Sequence, residues 1–132
     1  MMMASCNSST TAEISAIRSP SDQDLRVACY CEENAWRLVH RHLLGPDSRI
    51  NKEEWDEYHV VFVSNVRRCC PFFRQRARPE DDTKGYVCWD YHVVVMRSRH
   101  CNEKTKAAST TTEVLDVDTW LPYPCPLEKY LE

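Results

Sequence analysis

The sequence predicts an α+β fold in which one helix packs against an antiparallel sheet. Three observations support this class: a helical apolar stripe follows residue 31, β-branched and aromatic runs occupy 59–64 and 86–96, and a further extended segment occupies 113–120. A helix that comes first and is followed by strands is the element order of an α+β domain.

The predicted helix begins at Cys31. Apolar and aromatic residues recur after it at the i, i+3, i+4 and i+7 spacing of one helix face; they are Trp36, Val39, His40 and Leu43. Glu32 and Glu33 fall in the first turn, where carboxylates favour the positive end of the helix dipole. Gly45 and Pro46 predict its end.

The clearest predicted strand covers 86–96, with the sequence YVCWDYHVVVM. Side chains alternate between the two faces of a strand. One face is expected to carry Val87, Trp89, Tyr91, Val93 and Val95, and the other Cys88, Asp90, His92, Val94 and Met96. The run at 59–64 predicts a buried strand, 97–112 a long hairpin connection, and 113–120 the last strand. Trp36, Trp89 and Tyr91 are expected to be core aromatics.

Length and composition indicate one domain with a polar N-terminal tail. The chain has 132 residues, 42% of them apolar. Residues 1–24 are rich in Ser and Thr and are expected to be disordered, which leaves 25–132 as the domain. The net charge of −3 gives no electrostatic footprint for nucleic acid or a membrane surface. The first residues lack the pattern of a secretory signal. We therefore expect a cytoplasmic and nuclear protein that acts as a monomer.

Eight cysteines raise the alternatives of disulfides and metal binding. Without an export signal, free thiols are expected rather than a disulfide framework. Structural zinc sites usually pair their ligands at C-x(2–4)-C spacing, whereas this chain offers C-x-C at 29–31 and C-C at 69–70. A Cys/His metal-binding module stays open as an alternative, and Cys69 and Cys70 are interpreted as structural or incidental. No metal or organic cofactor is expected.

Three residues on three predicted elements could form a nucleophilic site. Cys31 is placed at the helix N-terminus, where the dipole and the unpaired N–H groups favour a thiolate. His92 on the middle strand could take its proton, and Asp116 on the next strand could orient the imidazole. These are the candidate catalytic residues.

Other residues compete for each role. Cys29 lies two residues upstream and has no dipole to activate it, and the charge of Glu32 and Glu33 would raise a nearby thiol pKa. Asp90 is two residues from His92 on the same predicted face, and Asp118 follows Asp116 at the same spacing. Each residue could also be ordinary: a buried small thiol, a hydrogen-bonded core histidine or a turn-capping aspartate.

Five short motifs occur in the order found in one known family. They are CYCEENAW at 29–36, VFVSN at 61–65, QRARP at 75–79, WDYHVV at 89–94 and LDVDTWLPYPC at 115–125. Together they resemble the protein N-terminal glutamine amidohydrolase family, also called the WDYHV-motif family.

The resemblance implies a papain-like or transglutaminase-like core and a Cys–His–Asp triad. Matched by motif, the triad is Cys31, His92 and Asp116, the same three that element placement suggests. It also implies cysteine-dependent conversion of an N-terminal glutamine of a protein to glutamate, with release of ammonia, feeding the N-degron degradation pathway. The substrates would be proteins or peptides with N-terminal glutamine.

The resemblance has two departures, and the lesser one is that VRRCCPFF at 66–73 is less typical of the family. Family members continue well beyond a Tyr-x-Glu like the one at 130–132, so the domain is expected to be incomplete at its C-terminus. The main alternative to an active enzyme is therefore a catalytically inactive truncated fragment or isoform.

Overall fold

The structure, a computed structural model, describes residues 21–45, 54–101 and 110–132. It confirms an α+β fold with an antiparallel sheet and a helix. The elements in chain order are a 3₁₀ helix (Asp22–Leu25), α1 (Cys31–Leu44), β1 (Glu54–Ser64), β2 (Cys70–Phe73), β3 (Tyr86–Trp89), β4 (Tyr91–Cys101), β5 (Thr111–Leu115), β6 (Cys125–Pro126) and α2 (Leu127–Tyr130). Within these ranges no helix combines the length and apolarity needed to cross a bilayer.

The main sheet has four antiparallel strands in the order β1-β4-β5-β6. A second sheet contains only β2 and β3, with Cys70 opposite Trp89 and Phe73 opposite Tyr86. The prediction of one strand over 86–96 is therefore wrong. The chain bends at Asp90, whose carbonyl accepts the Ser64 hydroxyl. Strand-favouring residues occur on both sides of this bend, so the sequence pattern could not reveal that the two halves belong to different sheets.

The core lies between α1 and the centre of the main sheet. Ala35 and Leu38 of the helix are buried; they pack with Val93, Val95, Leu115 and Val117. Full burial of a leucine contributes about 1.5–3 kcal/mol, so Leu38 is a main anchor of the helix.

The predicted apolar stripe marks mostly the wrong helix face. Trp36 is 64% exposed, and it stacks on His40 at a centroid distance of 5.1 Å on the solvent side. Leu43 is also exposed, and only Val39 of the stripe packs against the core. The buried face has the same spacing one residue earlier, and its first member is Ala35, whose small side chain is a weaker marker of a buried face than the large aromatic Trp36.

The strand predicted at 59–64 exists but is not buried. It belongs to β1, which starts earlier, at Glu54, and forms one edge of the main sheet. Val60 and Phe62 remain 46% and 65% exposed. An apolar run cannot show whether a neighbouring layer covers it, which is why the sequence suggested burial.

The remaining boundaries differ from prediction at both ends of β5, which begins at Thr111 instead of 113, and at the end of β4. β5 ends at Leu115, so 116–120 leaves the sheet although Val117 and Thr119 stay buried. β4 continues to Cys101, so the connection predicted over 97–112 is shorter, and its part at 102–109 lies outside the described residues.

The end of the predicted tail has local secondary structure. Residues 1–20 lie outside the described ranges, but Asp22–Leu25 is a 3₁₀ helix whose Asp22 accepts a hydrogen bond from Tyr123. The last residues of the predicted tail therefore contact the domain, and disorder of the tail stays a prediction.

Candidate active site

Cys31 is the first residue of α1. Cys29 has a φ of 65°, in the left-handed region, and the turn at this point directs the chain into the helix. Asn34 secures the turn: its Oδ1 accepts the Val27 N–H at 2.8 Å and its Nδ2 donates to the Val27 carbonyl at 2.9 Å. Cys31 is partly buried and packs against the edge of the core. A thiol at this point has the unpaired N–H groups of a helix start around it.

The surroundings of Cys31 favour the neutral thiol. Burial raises its pKa most, and a hydrogen bond from Sγ to Glu32 Oε2 at 3.4 Å, with the charge of that carboxylate, raises it further. Backbone N–H groups of Val93 and Glu32 lower it but do not reverse the direction. The sequence-based concern about Glu32 is therefore confirmed, while Glu33 turns aside to pair with Arg37.

His92 is held in a buried, aromatic environment at the start of β4. Only 2% of it is exposed. The Trp89 ring stacks on it at 6.2 Å, and Phe72 meets it edge-on at 4.9 Å. These contacts fix the plane of the imidazole, and they come from the small β2–β3 sheet.

Asp116 binds the histidine. Its Oδ2 lies 3.2 Å from His92 Nε2 and accepts the Tyr130 hydroxyl at 2.7 Å. Its Oδ1 accepts the Asp118 N–H at 2.9 Å. Burial would raise the Asp116 pKa, but these hydrogen bonds and the charge of His92 bring it below its ordinary value. Because an ionised carboxylate only accepts, Nε2 must carry the proton, and Nδ1 of a neutral imidazole is then the acceptor.

Two of the three predicted residues line one cleft, and the third is hydrogen-bonded to one of them. Cys31 and His92 line a cleft of about 230 Å³, and Asp116 lies behind the histidine. In the described part of the chain, no hydrogen bond joins Cys31 Sγ to His92, and Sγ instead donates to Glu32. The structure therefore shows a formed His–Asp pair with a thiol in the same cleft.

The competing residues have other partners. Asp118 binds the Arg26 guanidinium at 2.7 Å and Asn34 at 3.3 Å, and does not bind His92. Asp90 is exposed at the bend between β3 and β4. Cys29 also lines the cleft, but it lies outside α1, where the helix dipole is not expected to activate its thiol. Tyr91, expected in the core, is 42% exposed and donates its hydroxyl to Glu32.

Sequence reasoning assigned no role to Gln75 and Tyr130, two residues that contact Asp116. Gln75 is 2% exposed and its Nε2 lies 3.4 Å from Asp116 Oδ2. Tyr130 reaches the same oxygen from α2. Both belong to short segments that the motif comparison quoted, QRARP and Tyr-x-Glu, so the signal was present, but spacing alone could not place them.

The described residues give no support to a metal site. Across 21–45, 54–101 and 110–132, no group of three or more His, Cys, Asp or Glu side chains is placed to bind a metal ion. Six cysteines are free thiols in the structure: Cys29, Cys31, Cys69, Cys70, Cys88 and Cys125.

Comparisons with known proteins agree with the motif resemblance. The family model for N-terminal glutamine amidase matches residues 26–132. The chain is 36% identical over 113 residues to the protein N-terminal glutamine amidohydrolase of Bos taurus and 35% identical to that of Homo sapiens, in each case over 86% of this chain and 47% of the relative. It is 39% identical over 105 residues to the Drosophila ananassae protein of the same name, over 80% of this chain and 44% of that relative.

The chain spans about half the length of the curated relatives it matches. No solved structure matches it. The family match covers the helix start, the histidine strand and the aspartate segment together. The chain therefore belongs to the N-terminal glutamine amidase family.

Proposed function

We propose that this chain hydrolyses the side-chain carboxamide of an N-terminal glutamine in proteins or peptides, giving glutamate and ammonia. The observation that carries the proposal is the buried His92–Asp116 hydrogen bond beside the helix-start thiol of Cys31. The name shared by the similar proteins supplies the substrate.

The proposed reaction begins with proton transfer from the Cys31 thiol to His92 Nδ1. The resting thiol is neutral. Its hydrogen bond to Glu32 must therefore be replaced by a hydrogen bond to the imidazole as the substrate enters. The thiolate then attacks the carboxamide carbon. N–H groups at the helix start, including that of Cys31, are directed towards the developing oxyanion.

Collapse of this intermediate releases ammonia. His92 donates its proton to the departing nitrogen, and the thioester remains on Cys31. His92 then accepts a proton from water, which attacks the thioester and restores the free thiol. Asp116 stabilises the imidazolium in both steps. No metal or organic cofactor enters this scheme.

The charge of the cleft supports recognition of a free α-ammonium group. Glu32, Asp90 and Asp118 line it, and of these Asp118 already has its charge offset by the Arg26 guanidinium. A positive group close to Cys31 would offset the charge of Glu32, which otherwise opposes thiolate formation. Substrate binding would thus also activate the nucleophile.

The wider setting belongs to the same proposal. Element order and a cysteine at the start of α1 are compatible with a papain-like or transglutaminase-like core. We place the activity in the cytoplasm and nucleus, within the N-degron pathway, and expect a monomer that binds neither nucleic acid nor membrane.

A peptide panel tests the proposal. The purified chain is incubated with a peptide bearing N-terminal glutamine, with its N-acetylated form, and with the same peptide starting in asparagine, and released ammonia is measured. Ammonia is expected from the first peptide only. Equal ammonia release from the acetylated peptide would overturn the proposal that the free N-terminus is recognised. Ammonia release at the background level, by a chain that melts cooperatively, would favour an inactive fragment.

A further inference from the structure

Two thiols lie in contact on the small β2–β3 sheet, and one of them, Cys88, also lines the cleft that contains Cys31 and His92. The Sγ atoms of Cys69 and Cys88 are 2.6 Å apart. Both residues are exposed. This separation approaches the S–S bond length of about 2.05 Å much more closely than the separation of unrelated surface thiols would.

The backbone sets this approach. Asn65 fixes Cys69 through three hydrogen bonds: its Oδ1 accepts the N–H groups of Arg67 and Cys69, and its Nδ2 donates to the Cys69 carbonyl at 2.7 Å. Cys88 is fixed by its place in β3, opposite Pro71. Cys69, two residues before Pro71, is therefore its diagonal neighbour on one face of the sheet.

The opposite face of the same sheet supports the active site. Exposure alternates along both strands, so Cys69 and Cys88 are exposed while Cys70, Phe72 and Trp89 are buried or partly buried. Phe72 and Trp89 contact the His92 ring. A bond between the two outer sulfurs would therefore tie together the strands that hold the histidine without displacing the side chains that touch it.

We propose that Cys69 and Cys88 are a modification site that closes to a disulfide when the chain meets a small-molecule disulfide oxidant. One thiolate attacks a sulfur of the oxidant, forming a mixed disulfide and releasing one thiol. The second thiolate attacks the protein sulfur of that mixed disulfide and releases the other. Two protein thiols are oxidised and one oxidant molecule is reduced to two thiols. The bond does not depend on the reaction proposed above.

The closed form has a tethered β2–β3 sheet and melts at a higher temperature. The bond would enclose residues 69–88, a loop long enough for a clear effect on the unfolded chain. An increase in melting temperature of about 5–15 °C over the reduced form is expected. Disulfides in reducing compartments are usually transient and redox-sensing, so the pair would respond to oxidising conditions.

The test uses the full chain, oxidised glutathione as the probe, and peptide mapping of the product. The mapped bond is expected to join Cys69 to Cys88, and the increase in melting temperature is expected in wild type and in the control Cys29→Ser. Cys69→Ser and Cys88→Ser should each melt at the temperature of reduced wild type and show no increase in melting temperature after treatment with oxidised glutathione. Two free thiols at these positions after treatment, or a mapped bond from Cys88 to Cys31, would overturn the proposal.

Discussion

Glu32 is the residue that most directly opposes the chemistry of its neighbour. It accepts the Cys31 thiol and the Tyr91 hydroxyl, and its charge adds to burial in raising the Cys31 pKa. The next residue, Glu33, has the same chemistry but pairs with Arg37 on the outer face. Glu32 and Glu33 can therefore be compared as matched positions, because only Glu32 contacts the Cys31 sulfur.

Glu32→Gln is expected to move alkylation of Cys31 by iodoacetamide to lower pH. The substitution removes a charge that disfavours the thiolate, so a larger thiolate fraction is present at any pH near neutrality. Alkylation at Cys31 is followed by mass spectrometry across a pH series. Glu33→Gln is the control and should leave the profile in place. An equal shift in both variants would contradict the assignment.

Tyr130→Phe is expected to weaken both the fold and the His–Asp pair. The hydroxyl satisfies Asp116 at 2.7 Å in a buried setting, and loss of such a hydrogen bond costs about 1–3 kcal/mol. Urea unfolding measures this cost. Tyr86→Phe, at an exposed position, should change stability by less than about 0.5 kcal/mol. A Tyr130→Phe variant as stable as wild type would show that the contact is not formed.

The helix and the small sheet are the elements that position the site. α1 brings Cys31 to the cleft because Ala35 and Leu38 pack on β4 and β5. The β2–β3 sheet encloses the imidazole through Phe72 and Trp89. Site geometry therefore depends on packing that the catalytic residues do not themselves provide.

Leu38→Ala is expected to destabilise the chain by about 2–5 kcal/mol, since it leaves a cavity where a fully buried side chain packs. Leu44→Ala is the matched control at the end of the same helix, where the side chain is 75% exposed. Its effect should stay below about 0.5 kcal/mol. Chemical denaturation of both variants gives the comparison. Equal losses would mean that the buried face of α1 is assigned wrongly.

The sequence could predict element types and the three candidate residues, but not the faces or the layers. Cys31 follows from helix-start signals, and His92 and Asp116 from adjacent strand segments. The inward face of α1 was missed because Trp36 stacks on His40 in solvent. The bend at Asp90 was missed because strand-favouring residues continue on both sides of it, although Asp90 and Tyr91 are both exposed in the structure. Both features depend on tertiary contacts, which local periodicity does not encode.

At the scale of the whole molecule, distant segments converge on the site. Arg26 before the helix binds Asp118 after β5, and Tyr130 in α2 binds Asp116. Asp22 accepts both His42 and Tyr123. The stability of the described fold and the order of the cleft are therefore coupled through buried carboxylates.

Acid is expected to remove this coupling. Despite burial, hydrogen bonds keep the Asp116 pKa below its unfolded value, so its stabilisation is complete above the unfolded pKa of about 4 and is lost as pH falls through the folded pKa. The pKa of Asp22 is also lowered, so its stabilisation is lost in the same direction as pH falls.

Urea unfolding from about pH 7 to about pH 3 should show a steep loss of the free energy of unfolding. Asp116→Asn should flatten it, whereas Asp81→Asn, at an exposed position, should not. An unchanged slope in Asp116→Asn would contradict the buried ionised pair.

The most direct measurement of the central claim is kcat/KM for ammonia release from an N-terminal glutamine peptide by Cys31→Ala and Cys29→Ala. Both thiols line the same cleft, but only Cys31 begins the helix. Cys31→Ala is predicted to lose at least about 1,000-fold, and Cys29→Ala to stay within about tenfold of wild type. Loss of turnover in Cys29→Ala with activity retained in Cys31→Ala would contradict the account.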